Sequence, residues 1–157
     1  MIRTGIGYDV HQLAKGEKLV IANVEIPFEL GSVGHSDGDT LTHAIIDAML
    51  GAAALGDLGD YFPSDDDKWK GANSLDLLKE ITVDIKNMGF AINNVDSVII
   101  IQKPKLKQYI PLIRKNLARV LDISIEQVSI KATTVDKIGA IGDGKGWVAQ
   151  AIVTLSK

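Results

Sequence analysis

The chain has 157 residues, with 17 lysine and arginine residues against 20 aspartate and glutamate residues, a formal net charge of −3. This length predicts one domain, residues 1–157, that can bury a core without disulfides. The acidic balance argues against a nucleic-acid partner, and no apolar run reaches the roughly 18 residues of a membrane-spanning helix. Because the chain has no cysteine, thiolate nucleophiles and cysteine-ligated metals are excluded. The N-terminal residues lack the apolar segment of a secretory signal, so we expect a cytoplasmic protein.

The first half of the chain predicts two strands, a loop and a helix. Ile2–Val10 and Lys18–Ile26 are rich in β-branched residues and predict the strands. Gly31–Asp39 is polar and contains glycines, which is typical of a loop. From Thr40 to Leu55 apolar residues recur with the helical period, and Asp57–Lys70 is expected to be loop again.

The second half predicts two helices and three strands. Five segments carry these patterns: a helix over Ser74–Met88, a strand over Val95–Gln102, a helix over Ile110–Leu121, and strands over Val128–Ala132 and Trp147–Leu155. The order ββ–αα–β–α–ββ favours an α+β fold, in which one sheet carries helices on one face.

The densest group of chemically active residues is Asp9-Val10-His11 with a later histidine, His43. Residues i and i+2 of a strand point to the same face, so Asp9 and His11 can approach one metal ion. His43 lies in the first predicted helix, which can place it beside the end of that strand. Two imidazoles, a carboxylate and an open fourth position make up a catalytic zinc site, and Asp47, one helical turn later, can orient a ring. The alternative is a partly exposed aspartate and two hydrogen-bonded histidines without metal.

Other polar segments carry weaker signals. Segment 35–39 (H-S-D-G-D) precedes the first helix and suits either a phosphate or a capping turn. The carboxylates of Asp57–Pro63 have two interpretations. They bind hydroxyl groups of a ligand, or they only keep a surface loop hydrated. The lysines of Lys103–Lys107 meet a phosphate or form a solvated turn. Gly139–Gly146 approximates a phosphate-binding loop, but a strand and not the required helix is predicted after it.

Four motifs follow one another along the chain. They are G-Y-D-V-H from Gly7, H-S-D-G-D from His35, H-A-I-I-D-A-M-L-G-A-A-A-L-G-D-L-G-D-Y-F-P from His43, and K-A-T-T-V-D-K-I-G from Lys131. In this order and spacing they resemble the 2-C-methyl-D-erythritol 2,4-cyclodiphosphate synthase family over Ile2–Leu155. The long third motif and K-A-T-T are the most specific parts of the match.

The resemblance implies a homotrimer of chorismate-mutase-like architecture, with a mixed sheet, helices on one face and an active site at each subunit boundary. The implied reaction belongs to the non-mevalonate route to isoprenoids. It converts 4-diphosphocytidyl-2-C-methyl-D-erythritol 2-phosphate to the 2,4-cyclodiphosphate and CMP, by attack of the 2-phosphate on the β-phosphorus. The implied enzyme is a phosphorus–oxygen lyase. Its partners are this small-molecule substrate and further copies of the chain, with no nucleic acid and no membrane.

The resemblance also assigns roles to single residues. Asp9, His11 and His43 match the zinc ligands, and His35 and Thr134, with Asp136, match catalytic positions. The matching substrate contacts are Ser36 on the phosphate side; Asp57, Gly59, Phe62, Ser64 and Asp66 around the methylerythritol; and Ile101, Lys103, Pro104, Lys105, Leu106, Ala132, Thr133 and Thr134 along the cytidine diphosphate.

Asp136 stands where the family usually has glutamate, and the resemblance makes it the ligand of a second divalent cation, Mg²⁺ or Mn²⁺. Both reacting groups are anionic, so cations that withdraw charge and fix an in-line geometry suit the chemistry. The attacking phosphate is already ionised near neutral pH. No general base is needed, which agrees with the lack of a nucleophile–base set in the sequence.

Two alternatives share the His–His–Asp pattern. A mononuclear iron oxygenase uses the same donor set, but such enzymes generally need a larger double-sheet β-barrel than this helix-rich chain predicts. A non-catalytic trimer would hold a structural metal closed by a fourth protein ligand. His35, the remaining histidine, is the candidate for that ligand.

Overall fold

The computed structural model describes all 157 residues of the chain. Its strands are β1 (Ile2–Lys15), β2 (Leu19–Ile21), β3 (Val24–Ile26), β4 (Leu30–Val33), β5 (Ala91–Ile100), β6 (Val128–Thr133) and β7 (Gly146–Ser156). Its α-helices are α1 (Thr40–Ala53), α2 (Leu58–Tyr61), α3 (Ser74–Asn87), α4 (Ile110–Leu121) and α5 (Gly139–Gly142). Short 3₁₀ turns cover Asp67–Trp69 and Ile125–Gln127. None of the helices has the length and apolarity needed to cross a membrane.

Five strands form one sheet in the order β4-β1-β7-β5-β6. The β5–β6 pair is parallel and the other neighbours are antiparallel, so the sheet is mixed. Helix α1 packs against β1 and β7, α3 against α1, and α4 against β6. A single cluster of 38 buried apolar residues shows that the sheet and the helices share one core. The predicted α+β fold, a mixed sheet with helices on one face, is confirmed.

Two glycines of β1 let α1 lie against the strand with no side chain between them. A Cβ added at Gly5 would lie 2.0 Å from the carbonyl oxygen of Ala48, and one at Gly7 would lie 1.9 Å from that of Ala44. Both distances are far inside van der Waals contact, and the obstructing atoms are helix backbone. The close packing of α1 on β1 therefore requires glycine at both positions.

The predicted strand over Lys18–Ile26 is wrong in one respect, because the chain reverses in its middle. Ala22 and Asn23 have φ values of 47° and 62°, and this left-handed pair joins β2 and β3 in an antiparallel hairpin. Two left-handed residues are the signature of a tight hairpin turn, which usually contains glycine. Ala-Asn lacks that glycine, so the β-branched pattern on both sides of it predicted one strand.

Other elements were also assigned incorrectly. β4 (Leu30–Val33) occupies the start of the predicted Gly31–Asp39 loop, where it pairs with the end of β1. Helix α2 lies in the predicted loop after α1, and α5 lies between β6 and β7. Each of these helices has only four residues, which is too short to show a helical period.

Asp39 ties the β2–β3 hairpin to the start of α1. Its fully buried carboxylate accepts hydrogen bonds from the backbone N–H of Ala22 at 2.7 Å and of Thr42 at 3.1 Å, and from the Thr42 hydroxyl. Burial, together with the nearby charge of Asp37, raises the pKa of Asp39 to about 6. These three donors fix the first turn of the helix that carries His43.

We expect Gly7→Ala to destabilise the fold severely, by at least about 3 kcal/mol, because the new methyl group would push α1 away from β1. Gly51→Ala on the same helix is the matched control. A Cβ at Gly51 has no neighbour closer than 4.0 Å, so alanine there should be neutral or stabilising by up to about 1 kcal/mol. Urea unfolding of the two variants measures the difference, and equal stability of both would show that the close packing is unimportant.

Candidate active site

The three candidate metal ligands meet where β1 contacts α1. Asp9 and His11 are half-buried on the helix side of β1, and His43, 7% exposed, lies in the first turn of α1. The Oδ2 atom of Asp9 lies 3.0 Å from Nδ1 of His11 and 3.1 Å from Nδ1 of His43. One ligand atom from each residue lies within 4.8 Å of the others. The structure thus brings together the three residues that the strand spacing and the helix placement predicted.

The electrostatics of this group favour a positive charge between its members. Burial raises the pKa of Asp9, but hydrogen bonds from His11 and His43 outweigh it and bring that pKa down to about 2. Burial lowers the pKa of His43, but the hydrogen bond with Asp9 and the charge of Asp9, helped by Asp39 and Asp37, raises it above 6.5. The raised pKa of His43 favours a proton on this imidazole when no metal is bound, and a metal cation would displace that proton.

The imidazole rings of His11 and His43 both lie within hydrogen-bonding distance of hydroxyl groups. Thr40 Oγ1 lies 2.9 Å from Nδ1 of His11. Nε2 of His43 lies 3.1 Å from Ser36 Oγ and 2.9 Å from Ser74 Oγ. Of these hydroxyl groups, only that of Ser36 has a role predicted from the sequence. Ser74 follows His43 by 31 residues, and no local pattern in the sequence indicated that the start of α3 reaches this ring.

The donor set fits a catalytic metal ion. Two imidazole nitrogens and one carboxylate are the protein ligands of open zinc sites, which leave a position for water or substrate. No fourth histidine, aspartate or glutamate joins the group. Nε2 of His35 lies instead 3.2 Å from the carbonyl oxygen of Asp66, so the structure does not support a closed structural site. The single helix-covered sheet likewise does not match the barrel of an iron oxygenase.

The spacing of Asp47 from His43 suggested that Asp47 orients a histidine ring. In the structure it makes a different contact. Its Oδ1 atom accepts a hydrogen bond of 2.7 Å from the backbone N–H of Leu58. One helical turn moves it about 5.4 Å along α1, toward the start of α2. Its carboxylate therefore holds α2 beside α1, and burial raises its pKa.

Helix α2 begins the segment that the sequence predicts to hold the methylerythritol unit. Asp57 accepts a hydrogen bond from the backbone N–H of Asp60, and the Asp60 carboxylate accepts one from the N–H of Asp57. This reciprocal cap fixes the turn although the helix has only four residues. Gly59 in the helix and Ser64 after it are exposed, which leaves them accessible to a ligand.

The loop after α2 is connected to His35 by hydrogen bonds. Phe62 is buried and packs edge-on against Trp69, with ring centroids 4.8 Å apart. His35 contacts the carbonyl oxygen of Asp66 through its ring and accepts a hydrogen bond of 2.8 Å from the N–H of Gly71 through its own carbonyl group. The predicted phosphate-side and methylerythritol residues therefore lie on connected loops.

A cavity of about 470 Å³ lies between the ends of β5 and β6 and the start of α4, a volume suited to a small molecule. Of the predicted cytidine diphosphate contacts, all but Lys103 line it: Ile101, Pro104, Lys105, Leu106, Ala132, Thr133 and Thr134. Gln102, Lys107, Ile110, Pro111 and Ile130 complete the lining. Of these, Lys107 belongs to the lysine segment that the sequence offered as a phosphate contact. Ile110, Pro111 and Ile130 were missed, because contacts from α4 and from inside β6 depend on the tertiary fold.

The cavity and the candidate metal ligands lie at the same end of the sheet. In the register, His11 pairs with Trp147 on β7 and Val148 pairs with Ile100 on β5, which pairs with Thr133 on β6. The metal group on β1 and the cavity at β6 are therefore three strand spacings apart, about 14 Å.

Asp136 lies in an exposed loop after β6. Its φ of 51° is left-handed, and its N–H lies 3.5 Å from Oγ1 of Thr134. The next residue, Lys137, donates its N–H to Oε1 of Gln102 at 3.1 Å, which ties the loop to the cavity wall. Asp136 is not part of the group formed by the three candidate ligands, and its role as a second metal ligand stays a prediction.

Comparison with known proteins agrees with this geometry. The model of the YgbB family matches residues 2–156, nearly the whole chain. The chain belongs to the YgbB family. A relative named 2-C-methyl-D-erythritol 2,4-cyclodiphosphate synthase, from Alkaliphilus metalliredigens, is 53% identical over 156 residues, which cover 99% of this chain and 98% of that protein.

Solved structures agree with the family assignment. The bifunctional IspDF from Campylobacter jejuni matches with a TM-score of 0.95 and 41% identity over 99% of this chain, although the match spans only 42% of that longer chain. The CDP complex of IspF from Plasmodium falciparum matches with a TM-score of 0.86 and 34% identity over 98% of this chain and 95% of that one. These matches support the function that the sequence predicts, a cyclodiphosphate synthase of the isoprenoid pathway.

We expect this YgbB-family protein to bind a divalent metal more tightly as the pH rises from about 6 to 8, because the metal must displace the proton that the raised pKa of His43 retains. Calorimetry with Zn²⁺ in buffers of different ionisation enthalpy should show proton release on binding.

His43→Ala should abolish this binding, whereas His35→Ala, which alters a histidine outside the group, should keep it. Loss of binding in both variants would contradict a site built from Asp9, His11 and His43 alone.

Proposed function

We propose that residues 1–157 form one catalytic domain that contributes a metal group and a cavity to the binding of 4-diphosphocytidyl-2-C-methyl-D-erythritol 2-phosphate. An oxygen of the 2-phosphate forms a bond to the β-phosphorus, while the bond from that phosphorus to the bridging oxygen breaks. CMP leaves with the electron pair, which makes the enzyme a phosphorus–oxygen lyase. The observation that carries the proposal is the open His–His–Asp group at the same end of the sheet as the cavity.

We propose Zn²⁺ as the ion of the His–His–Asp group, since two imidazoles and one carboxylate are typical zinc ligands. A bound cation would withdraw negative charge from the phosphate under attack. The chain itself holds the nucleophile and the phosphorus in line, and such positioning of an intramolecular nucleophile supplies roughly 7–11 kcal/mol. We assign part of this positioning to Ser36, whose Oγ lies 3.1 Å from Nε2 of His43, and to the neighbouring His35.

The cavity offers a nucleoside diphosphate both apolar and cationic contacts. Ile110 and Ile130 provide apolar surface, while the ammonium groups of Lys105 and Lys107 can neutralise phosphate oxygens. The exposed hydroxyl of Thr134 is a further donor at the rim. The related Plasmodium falciparum structure is a CDP complex, which supports assigning the cytidine diphosphate part of the substrate to this cavity.

A second divalent ion, Mg²⁺ or Mn²⁺, is proposed between Asp136 and the diphosphate. The exposed carboxylate of Asp136 would repel a diphosphate in the adjacent cavity unless a cation lay between them. Aspartate is one methylene shorter than the family's usual glutamate, and a water in the shell of Mg²⁺ can span the difference.

Removal of the metal should stop CMP release. We expect a chelator to abolish turnover of the proposed substrate, measured by chromatography of CMP, and added Zn²⁺ to restore it. His43→Ala should reduce turnover by at least about a hundredfold, a typical loss for an electrostatic partner of the transition state.

Val83→Ala on the exposed face of α3 is the control variant for this assay and should match the parent. Asp136→Asn should lose most activity at limiting Mg²⁺, and Asp136→Glu should keep it. Full activity of the chelated protein would contradict the proposed function, and full activity of Asp136→Asn would contradict the second metal alone.

We propose that the protein is a homotrimer, because the sheet face opposite the helices is apolar and exposed. On β1, Ile6, Tyr8 and Val10 are 63%, 60% and 53% exposed. Ile6 lies opposite Ile152 on β7, which is 42% exposed, so the exposed apolar patch extends over two strands. Such a patch on a small domain marks a protein interface.

A cyclic trimer would also complete the active site. The cavity lies at the β6 edge of the sheet, and the metal group lies on β1, one strand from the opposite edge at β4. Head-to-tail contacts in a closed ring bring opposite edges of neighbouring subunits together. Each site would then combine the metal group of one subunit with the cavity of the next. The cytoplasmic location stays a prediction.

Sedimentation should give a species of three times the 16.9 kDa chain mass. We expect Ile6→Asp to dissociate it, because a charge would be buried in the apolar interface. Val83→Asp changes a comparably exposed apolar residue on α3 and should leave the trimer intact. A parent chain that sediments as a monomer at micromolar concentration would contradict the trimer.

A further inference from the structure

A chain of hydrogen bonds leads away from the imidazole of His43. Its Nε2 atom lies 2.9 Å from Ser74 Oγ. Ser74, in turn, donates its backbone N–H to Asp37 at 2.9 Å and its hydroxyl hydrogen to the same carboxylate. Ser74 is fully buried and is the first residue of α3. Three separate segments of the chain thus meet behind a candidate metal ligand.

The number of hydrogens fixes the direction of these bonds. A carboxylate only accepts hydrogen bonds, and a serine hydroxyl has a single hydrogen to donate. Asp37 accepts from Ser74 twice and from the backbone N–H of Asp39 at 3.2 Å. The hydroxyl hydrogen of Ser74 therefore points to Asp37, and its oxygen is left to accept a hydrogen from Nε2 of His43.

Ser36 does not set this direction. Its Oγ lies 3.1 Å from Nε2 of His43 and accepts a weak bond of 3.4 Å from the N–H of Gly38. No carboxylate or carbonyl group accepts its hydrogen, so its hydroxyl can adapt to either tautomer of the ring. On the Nε2 side, the Asp37–Ser74 pair is the part of the surroundings that requires a hydrogen on the ring. On the Nδ1 side, Asp9 accepts a hydrogen when no metal is bound.

We infer that Asp37 and Ser74 are positioning residues that hold His43 as its Nε2–H tautomer and so present Nδ1 as the metal ligand. Nδ1 is the nitrogen that lies 3.1 Å from Asp9 Oδ2, on the side of the candidate metal ligands. The inference rests on the proposed function because it concerns the metal centre, and it adds residues that do not touch the metal or the substrate. Hydrogen-bond partners of this kind typically change metal affinity by about 10- to 100-fold.

Ser74→Ala removes the acceptor and keeps the backbone bond to Asp37. In metal-free protein the Asp9 carboxylate competes by accepting a hydrogen from Nδ1, so the tautomer is compared in an Asp9→Ala background. At alkaline pH, where the ring is neutral, we expect ¹⁵N shifts of His43 to show Nε2–H when Ser74 is present and a mixture of tautomers after Ser74→Ala. The Zn²⁺ affinity, measured with Asp9 in place by competition with a chelating dye, should fall about 10- to 100-fold.

Two further variants serve as controls. Ser97→Ala removes another buried serine, which donates to the carbonyl group of Ser129, and should change neither measurement. Ser74→Thr keeps the hydroxyl and should retain both the tautomer and the affinity. A purely structural role of Ser74 would instead lower stability without moving the tautomer.

Asp37→Asn provides an independent test, because an amide cannot accept from all three donors, and it should shift the tautomer in the same direction. The inference is overturned if Ser74→Ala and Asp37→Asn keep the Nε2–H form and bind Zn²⁺ within about twofold of the parent. The tautomer is measured without metal, so it decides this inference separately. A parent chain that binds no Zn²⁺ would contradict the proposed zinc centre instead.

Discussion

The backbone-to-backbone contact of α1 with β1 is the constraint on which the candidate site depends. Gly5 and Gly7 face Ala48 and Ala44 with no room for a side chain, and this brings the first turn of α1 over the strand. His43 then reaches Asp9, although 34 residues separate them in sequence. A wider helix–strand spacing would leave the same three side chains as ordinary polar residues. The convergence of the three candidate metal ligands thus depends on glycine, which has no side chain, at positions 5 and 7.

The larger elements of the fold could be predicted from the sequence because their patterns are local. The helical period identified α1, α3 and α4, and the spacing of Asp9 and His11 placed both on one strand face. The hairpin at Ala22-Asn23 was missed, because its turn lacks the usual glycine. Helix α2 was missed because it is held by side-chain caps and not by an apolar stripe.

The surroundings of the candidate site were predicted less completely than its ligands. The ligands belong to motifs, whereas Ser74 reaches His43 only after α3 has packed on α1. Ile110 and Ile130 line the cavity for a similar reason, since their neighbours are set by the packing of α4 on β6. Asp47 shows the opposite case, because correct helical spacing predicted a contact that its hydrogen bond to Leu58 replaces.

The placement of the three candidate ligands also affects how the chain folds. A metal ion held by Asp9, His11 and His43 would close a loop of more than thirty residues, as a disulfide does in other small proteins. This chain has no cysteine to form such a link. Because the ligands converge only in the native state, the free energy of metal binding would add to the free energy of unfolding. Metal supply in the cell would then influence how long the folded chain survives, in addition to whether it is active.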